Sequence, residues 1–310
     1  EISTSATRYN EGETVSITGI GEPNKSTIVW IKDIDGKIVH YDVFTSASDS
    51  TLNYQFMIGS TFDTGDYVAI LKQENGADAS LFGIGKYPSV NIVTLMEKTN
   101  FGLNSKAVLS IIGPPTSNLS IKILDSNDNV EMTSSMTTSS TGKSKYSIDL
   151  DGLPSGIYRA VVSSTNIQDA VKFSVGLEPG SGEISLISIQ ENYSPGESVL
   201  VIGSTGVDAR ITVTLYDPSG NVSSATETFS DSSGSFSTDE IGIPTNGEFG
   251  DWKITAHSRL DTKSVNINVS LPTEKGLTLT MEDTEFGHSS TVTISGIAKS
   301  DASRLLIEIS

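Results

Sequence analysis

Apolar and polar residues alternate along most of this chain with a period of two, and no segment sustains the 3.6-residue period of a helix. The pattern is clearest where it recurs. Tyr9–Gly19 and Tyr193–Gly203 share the order Y-x-x-G-E-x-V: an aromatic residue, a turn, then an alternating strand that ends in glycine. Looser copies occupy Phe101–Gly113 and Phe286–Gly296. The closing glycines, Gly19, Gly113, Gly203 and Gly296, lie 94, 90 and 93 residues apart. One such motif is weak, but four at a single spacing predict tandem units of about ninety residues.

The copies continue in a common order. A second strand, Thr27–Asp33, Leu119–Asp125 or Ile211–Asp217, runs into a tight turn at Asp35-Gly36, Asn127–Asn129 or Pro218–Asn221. Glycine and asparagine tolerate positive φ, so these are hairpin turns. A Ser/Thr-rich stretch and a further strand lead to a Gly-x-aromatic corner at Gly65–Tyr67, Gly156–Tyr158 or Gly250–Trp252. Each corner opens a strand (Tyr67–Leu71, Tyr158–Ser163, Trp252–Ala256), and a last strand follows an Asp turn (Ala79–Tyr87, Ala170–Val175, Lys263–Leu271). About seven short strands per unit, with turn signals every 8 to 12 residues or so, predict an all-β chain of tandem immunoglobulin-like β-sandwich domains. Superposing the units sets the register: Leu119, Ile121 and Ile123 match Ile211, Val213 and Leu215, and in the first unit Thr27, Val29 and Ile31. Trp30 then falls on the opposite face. Either a neighbouring loop or a shifted register accounts for it, or it is a candidate interface residue between domains or subunits, since tryptophan is a common anchor.

Boundaries follow the repeat. Ig-like domains are expected at residues 1–87, 88–176 and 182–271, with a partial one at 276–310. The first linker, Tyr87–Ser89, is short and stiffened by Pro88; the second, Gly176–Gly182, carries three glycines and can bend; the third is Leu271–Gly276. The fourth unit ends after Arg304–Ser310, its second core strand, too few strands to bury a core. The reading is therefore a fragment of a longer polypeptide, a unit completed by another chain, or a mature or excised form.

Composition narrows the function. The formal net charge is −18, from 20 Lys and Arg against 38 Asp and Glu, which disfavours nucleic acid because phosphate neutralisation needs clustered cations. There is no cysteine, so no disulfide framework, cysteine-ligated metal or thiol nucleophile. No apolar run approaches the roughly 20 residues of a transmembrane helix. Ser (48) and Thr (32) make up a quarter of the chain and fit the outward faces and turns of sandwiches.

Candidate chemistry is sparse. His40, His257 and His288 lack metal-ligand spacing, no Gly-x-Ser-x-Gly elbow occurs, and Thr141–Ser144 is half a phosphate loop without its first glycine. Asp239-Glu240 and Glu282-Asp283 are adjacent in sequence and would point to opposite faces of a strand. Asp125, Asn127 and Asn129 match the first half of a calcium loop, which then fails at Val130 and Met136. They are the candidate metal residues, and a hairpin turn explains the same spacing. Asp33 with Asp35 and Asp217 with Asn221 are weaker versions. Glycosylation sequons fall at Asn24, Asn118, Asn221 and Asn268, and at Asn192, where Pro195 follows the serine.

Tyr9–Gly19, Tyr193–Gly203, the L-x-D-P-x-G-N-V segment Leu215–Val222 and the three corners resemble archaeal S-layer proteins of the thaumarchaeal, ammonia-oxidising type. The second unit departs most, with Phe101 and Asn104–Lys106 in place of Tyr and Gly-Glu. The resemblance implies a secreted, non-catalytic protein that tiles the cell surface as a porous lattice of rigid stacked sandwiches. Its partners would be further copies of itself, further domains of the same polypeptide, and cations, calcium or other divalent ions among them. An acidic coat of this kind would enrich cations such as ammonium. An extracellular adhesin or stalk of tandem Ig-like domains is the alternative, and an accessory module of a secreted enzyme ranks last.

Overall fold

The computed structural model describes residues 1–60, 62–89, 91–180, 182–188, 190–271, 278–281 and 294–297. Three β-sandwiches follow one another, and no helix occurs among the described residues. The first contains β1 (Ile2–Thr4), β2 (Arg8–Tyr9), β3 (Thr14–Ile20), β4 (Ser26–Asp33), β5 (Ile38–Thr45), β6 (Thr51–Met57), β7 (Gly65–Gln73) and β8 (Gly76–Ile84). The second contains β9 (Val93–Met96), β10 (Asn100–Phe101), β11 (Lys106–Ile112), β12 (Asn118–Leu124), β13 (Val130–Thr137), β14 (Lys143–Asp149), β15 (Gly156–Ser164) and β16 (Ile167–Val175). The third contains β17 (Ser185–Ser188), β18 (Asn192–Tyr193), β19 (Ser198–Ser204), β20 (Arg210–Tyr216), β21 (Val222–Phe229), β22 (Ser235–Gly242), β23 (Gly250–His257) and β24 (Thr262–Val269).

The topology is the same each time. A three-stranded sheet (β1-β3-β6, β9-β11-β14, β17-β19-β22) faces a five-stranded one (β2-β8-β7-β4-β5, β10-β16-β15-β12-β13, β18-β24-β23-β20-β21). All pairings are antiparallel except that of the two-residue strand that opens each five-stranded sheet. Beyond the third sandwich, β25 (Thr278–Met281) pairs antiparallel with β26 (Ile294–Ile297). The rest of the partial unit, including His288, Glu282-Asp283 and the expected Arg304–Ser310 strand, lies outside the described residues.

The recurring motifs do local work. In Y-x-x-G-E, Gly12 and Gly196 sit at φ 82° and 90°, and the following Glu13 and Glu197 accept the backbone N–H of Asn10 and Ser194, each at 2.8 Å. The second unit replaces the pair with Asn104, which tolerates φ 53°, and Ser105, whose hydroxyl donates to Gly102 O at 2.7 Å. That substitution keeps the turn while losing the motif.

At the Gly-x-aromatic corner, the Tyr67 hydroxyl donates to Asp63 O at 2.8 Å and Tyr158 to Pro154 O at 2.7 Å. Trp252 Nε1 donates to Glu248 O at 2.8 Å. These are tyrosine corners of the immunoglobulin kind, with indole in place of phenol in the third unit. Two residues on, where antibody domains carry a cysteine, stand Ala69, Ala160 and Ile254, all fully buried.

The Asp turns tie down the first strand of each unit. Asp78, Asp169 and Asp261 accept the backbone N–H of Ile2, Thr94 and Ile184 at 2.7, 2.7 and 2.6 Å. Each sandwich closes over its own core, and Val29, Ile31, Leu119, Ile121, Ile123, Ile211, Val213 and Leu215 all lie in these cores. Thr27 is also buried, with its hydroxyl accepting from Gln73 Nε2 at 2.9 Å. The three do not stack as a line of struts, since the third sandwich returns to touch the first.

Candidate functional site

The first sandwich is apolar on both faces of its five-stranded sheet. Along β7, Tyr67, Ala69 and Leu71 face the core while Val68 and Ile70 face out, and all five are buried. Trp30, Ile38, Tyr41, Val68, Ile70 and Ala79 form a second buried cluster, flanked by Ile28, Val43 and Leu81 and by Val93, Leu95 and Ile112 of the second sandwich. Trp30 is 2% exposed. Lys32 and Lys72 place their ammonium groups 5.5 and 5.3 Å from its ring, and its Nε1 has no acceptor. At the positions of Trp30, Ile70 and Tyr41, the second sandwich has Lys122, Val161 and Thr133, and the third has Thr214, Thr255 and Ala225. A doubly apolar sheet must be covered on both sides to gain from burial, and the neighbouring sandwiches cover this one.

One end of the face is held by the second sandwich. Asp66, 5% exposed, pairs with Lys86 at 3.0 Å and accepts the Ser89 N–H at 3.1 Å, which clamps the first linker onto β7. Burial pushes the Asp66 carboxyl up, but the bonds from Ser89 and Lys86 outweigh it and hold its pKa below the usual carboxylate range. Lys143 Nζ donates to Ile2 O at 2.5 Å.

The other end meets the third sandwich. The Tyr41 N–H donates to Gly196 O at 2.9 Å. The Tyr41 ring packs on Gly242, where a Cβ would stand 2.5 Å from the ring. Burial raises the Tyr41 hydroxyl to about 12. Asp42, 8% exposed, accepts from the Thr245 N–H (3.2 Å), the Thr245 hydroxyl (2.7 Å), the Tyr54 hydroxyl (2.7 Å) and the Val43 N–H (2.8 Å). His40 Nε2 lies 2.7 Å from the Tyr54 hydroxyl. The Tyr54 hydroxyl donates its hydrogen bond to Asp42, so His40 is the donor to the Tyr54 oxygen. Burial lowers the His40 pKa, opposed by the Asp42 charge. Lys72 pairs with Glu240 at 3.3 Å, and the Thr226 hydroxyl donates to the same oxygen at 3.0 Å. Burial raises the Glu240 pKa, while Lys72 and Lys32 lower it further, for a net depression.

Between these two contacts the three sandwiches line two adjoining open clefts of about 630 Å³ each, sharing Lys72, Lys98, Thr99 and Glu227 on their walls. Lysines and carboxylates both line them, Lys72 and Lys98 with Glu227 among them.

The remaining sequence candidates lie apart from this face. Asp125 Oδ1 accepts the Asn127 and Asn129 N–H groups, both at 2.8 Å, and Oδ2 accepts Asn129 Nδ2 at 2.9 Å. The Asn129 side-chain bond leads in lowering the Asp125 pKa. Asp33 and Asp217 accept turn N–H groups in the same way, so the D-x-N-x-N spacing serves a hairpin turn common to all three units. No group of three His, Asp or Glu residues is placed to hold a metal ion among the described residues. Of the sequons, Asn221 Nδ2 donates to Asp217 and Asn268 Nδ2 to Asp251. Asn24, in a loop at φ 55°, and Asn118, which accepts from the Thr137 hydroxyl, are exposed and leave Nδ2 without a partner among the described residues.

Sequence reasoning singled out Trp30 but missed Tyr41, Asp42, Lys72, Gly242 and Thr245. The signal was present in Ile28–Ile31 and Tyr67–Leu71, unbroken apolar runs where the matching strands of the other units alternate.

No family model matches the chain, and no curated protein sequence does. Similar solved structures include a tetra-tandem repeat in the extending region of a large adhesion protein, 16% identical over 97% of this chain and 88% of that one, with a TM-score of 0.24. Trypsin-activated alpha-2-macroglobulin from Escherichia coli is 9% identical over 94% of this chain and 26% of that one, with a TM-score of 0.25. Methylamine-reacted Salmonella alpha-2-macroglobulin is 10% identical over 94% and 24%, with a TM-score of 0.24. The chain thus spans about a quarter of each alpha-2-macroglobulin. Scores this low carry no argument about function. No helix among the described residues is long and apolar enough to cross a membrane.

Proposed function

We propose that the chain is a structural, non-catalytic segment of an extracellular cell-surface scaffold, a lattice subunit of the S-layer kind. The observation that carries this reading is the doubly apolar sheet of the first sandwich. It welds three otherwise self-sufficient sandwiches into one block, which is mechanical design: stiffness gained by burying area between units. A rod-like adhesin stalk is the competing reading, and the return of the third sandwich to the first favours a tile over a rod. The charge of −18 is spread over turns and outer faces, so a coat built from such blocks would attract cations, ammonium and divalent ions included, by its summed field.

Electron microscopy of the purified protein with and without Ca²⁺ tests the reading. Ordered two-dimensional arrays are expected of a lattice subunit, and a monodisperse elongated monomer under every condition refutes it in favour of a stalk. The cation function is tested separately across an assembled layer at low salt. Ammonium should accumulate relative to an uncharged tracer of similar size, and equal partitioning refutes enrichment.

A further inference from the structure

The contact between the first and third sandwiches uses only groups that every copy of the chain carries, and one short segment decides which copy supplies them. That segment is the linker that begins at Gly176, where Ser155 and Asn100 of the second sandwich donate to Gly176 O and Leu177 O. From Glu178 onward the backbone pairs with Arg210 and Arg259 of the third. The changeover falls between Leu177 and Glu178, and none of these bonds reaches the first sandwich.

We propose that the third sandwich of one chain docks on the first sandwich of a second copy through this same contact, so that exchange joins copies. The inference rests on the scaffold reading, which requires copies to join, and names the surface that does it. Three features make the contact selective for its own counterpart. The Tyr41 ring needs the bare backbone of Gly242, Asp42 needs both donors of Thr245, and Lys72 opposes Glu240. That last pair is attractive in a chain whose copies otherwise repel at −18. Exchange conserves every one of these contacts, and its cost is confined to the linker, whose bonds to the second or third sandwich open to let the chain cross. A short tether within one chain supplies an effective concentration on the order of millimolar. Dilute chains therefore close on themselves, and chains crowded in a coat exchange.

The absence of cysteine makes the test direct. Full-length chains carrying Asp42→Cys alone and Thr245→Cys alone are mixed and treated with a short bis-maleimide crosslinker, which adds one thiol at each end, over a concentration series. The expected result is a heterodimer that carries one crosslink and rises with concentration. The control pair, Asp151→Cys with Thr245→Cys, should give none above background. Lys72→Cys mixed with Glu240→Cys repeats the test at the second contact, in case replacing Asp42 disturbs the first. Absence of a heterodimer from both pairs overturns the proposal, whether or not the double variants crosslink within one chain. Arrays seen by microscopy without any such heterodimer leave the scaffold reading standing and remove exchange alone.

Discussion

Trp30 is the most informative single position, because its side chain points away from its own sandwich core and is nevertheless 2% exposed. Trp30→Ala should remove the indole from the buried cluster that it shares with Tyr41 and Ile70. Truncating a buried tryptophan costs about 3–5 kcal/mol. The ammonium groups of Lys32 and Lys72 over the ring add about 0.5–1 kcal/mol each, which puts the loss toward the top of that range. Trp30→Phe should cost only about 1 kcal/mol, because Nε1 has no acceptor to lose and most of the apolar volume remains. Urea unfolding followed by circular dichroism reads the difference. The chain should unfold with its sandwiches coupled, and Trp30→Ala should split the curve into separate transitions, with Trp252 fluorescence still reporting the third sandwich. A loss under about 1 kcal/mol for Trp30→Ala, or equal losses for the two variants, refutes the argument that this face is an internal seam.

Other consequences are local. Tyr158→Phe removes the bond to the carbonyl of exposed Pro154 and should destabilise the second sandwich by about 0.5–1.5 kcal/mol in the same unfolding assay. Gly242→Ala should lift Tyr41 off the third sandwich and speed amide exchange at Tyr41 and Thr245, whose N–H groups cross the contact, while leaving the amides of β12 unchanged. Because burial lowers the His40 pKa, the unfolded chain takes up its proton first as pH falls below about 6.5. Stability should therefore decline from neutral pH downward, and His40→Gln should flatten that slope in unfolding curves taken between pH 7 and 5. Asp66 and Glu240 have depressed pKa values, so the stabilisation they give is intact above about pH 4 and is lost as pH falls through their folded-state values.

Much of the single-sandwich fold was legible because each motif is a local solution that must recur. A turn that needs positive φ asks for Gly12 or Gly196, and an aromatic corner asks for a donor four residues after a free carbonyl, as Tyr67, Tyr158 and Trp252 are. Inward register was readable from Leu119, Ile121 and Ile123, since period-two alternation has one apolar face. The seam between sandwiches was not read, although the alternation failed there. Val68 and Ile70 look like ordinary strand residues until their counterparts, Arg159, Val161, Lys253 and Thr255, are set beside them. The partner of that face, in turn, has no local signature. Thr245 and Gly242 are small residues in and beside a strand end, and only the chain's return brings them under Tyr41 and Asp42. The Asp125 turn illustrates the converse. Its carboxylate and amide spacing is that of the first half of a calcium loop, and in the structure the same spacing lets Asp125 accept the backbone N–H groups of its own turn.

The central claim is that three sandwiches form one folded-back block, and small-angle X-ray scattering of the dilute full chain tests it most directly. A compact body of 310 residues has a radius of gyration of about 20 Å. Three sandwiches end to end, each ~35 Å long from strands of up to nine residues with their turns, would make a rod with a radius of gyration above ~30 Å. A value near 20–25 Å is the expected result, and one above ~30 Å contradicts the account.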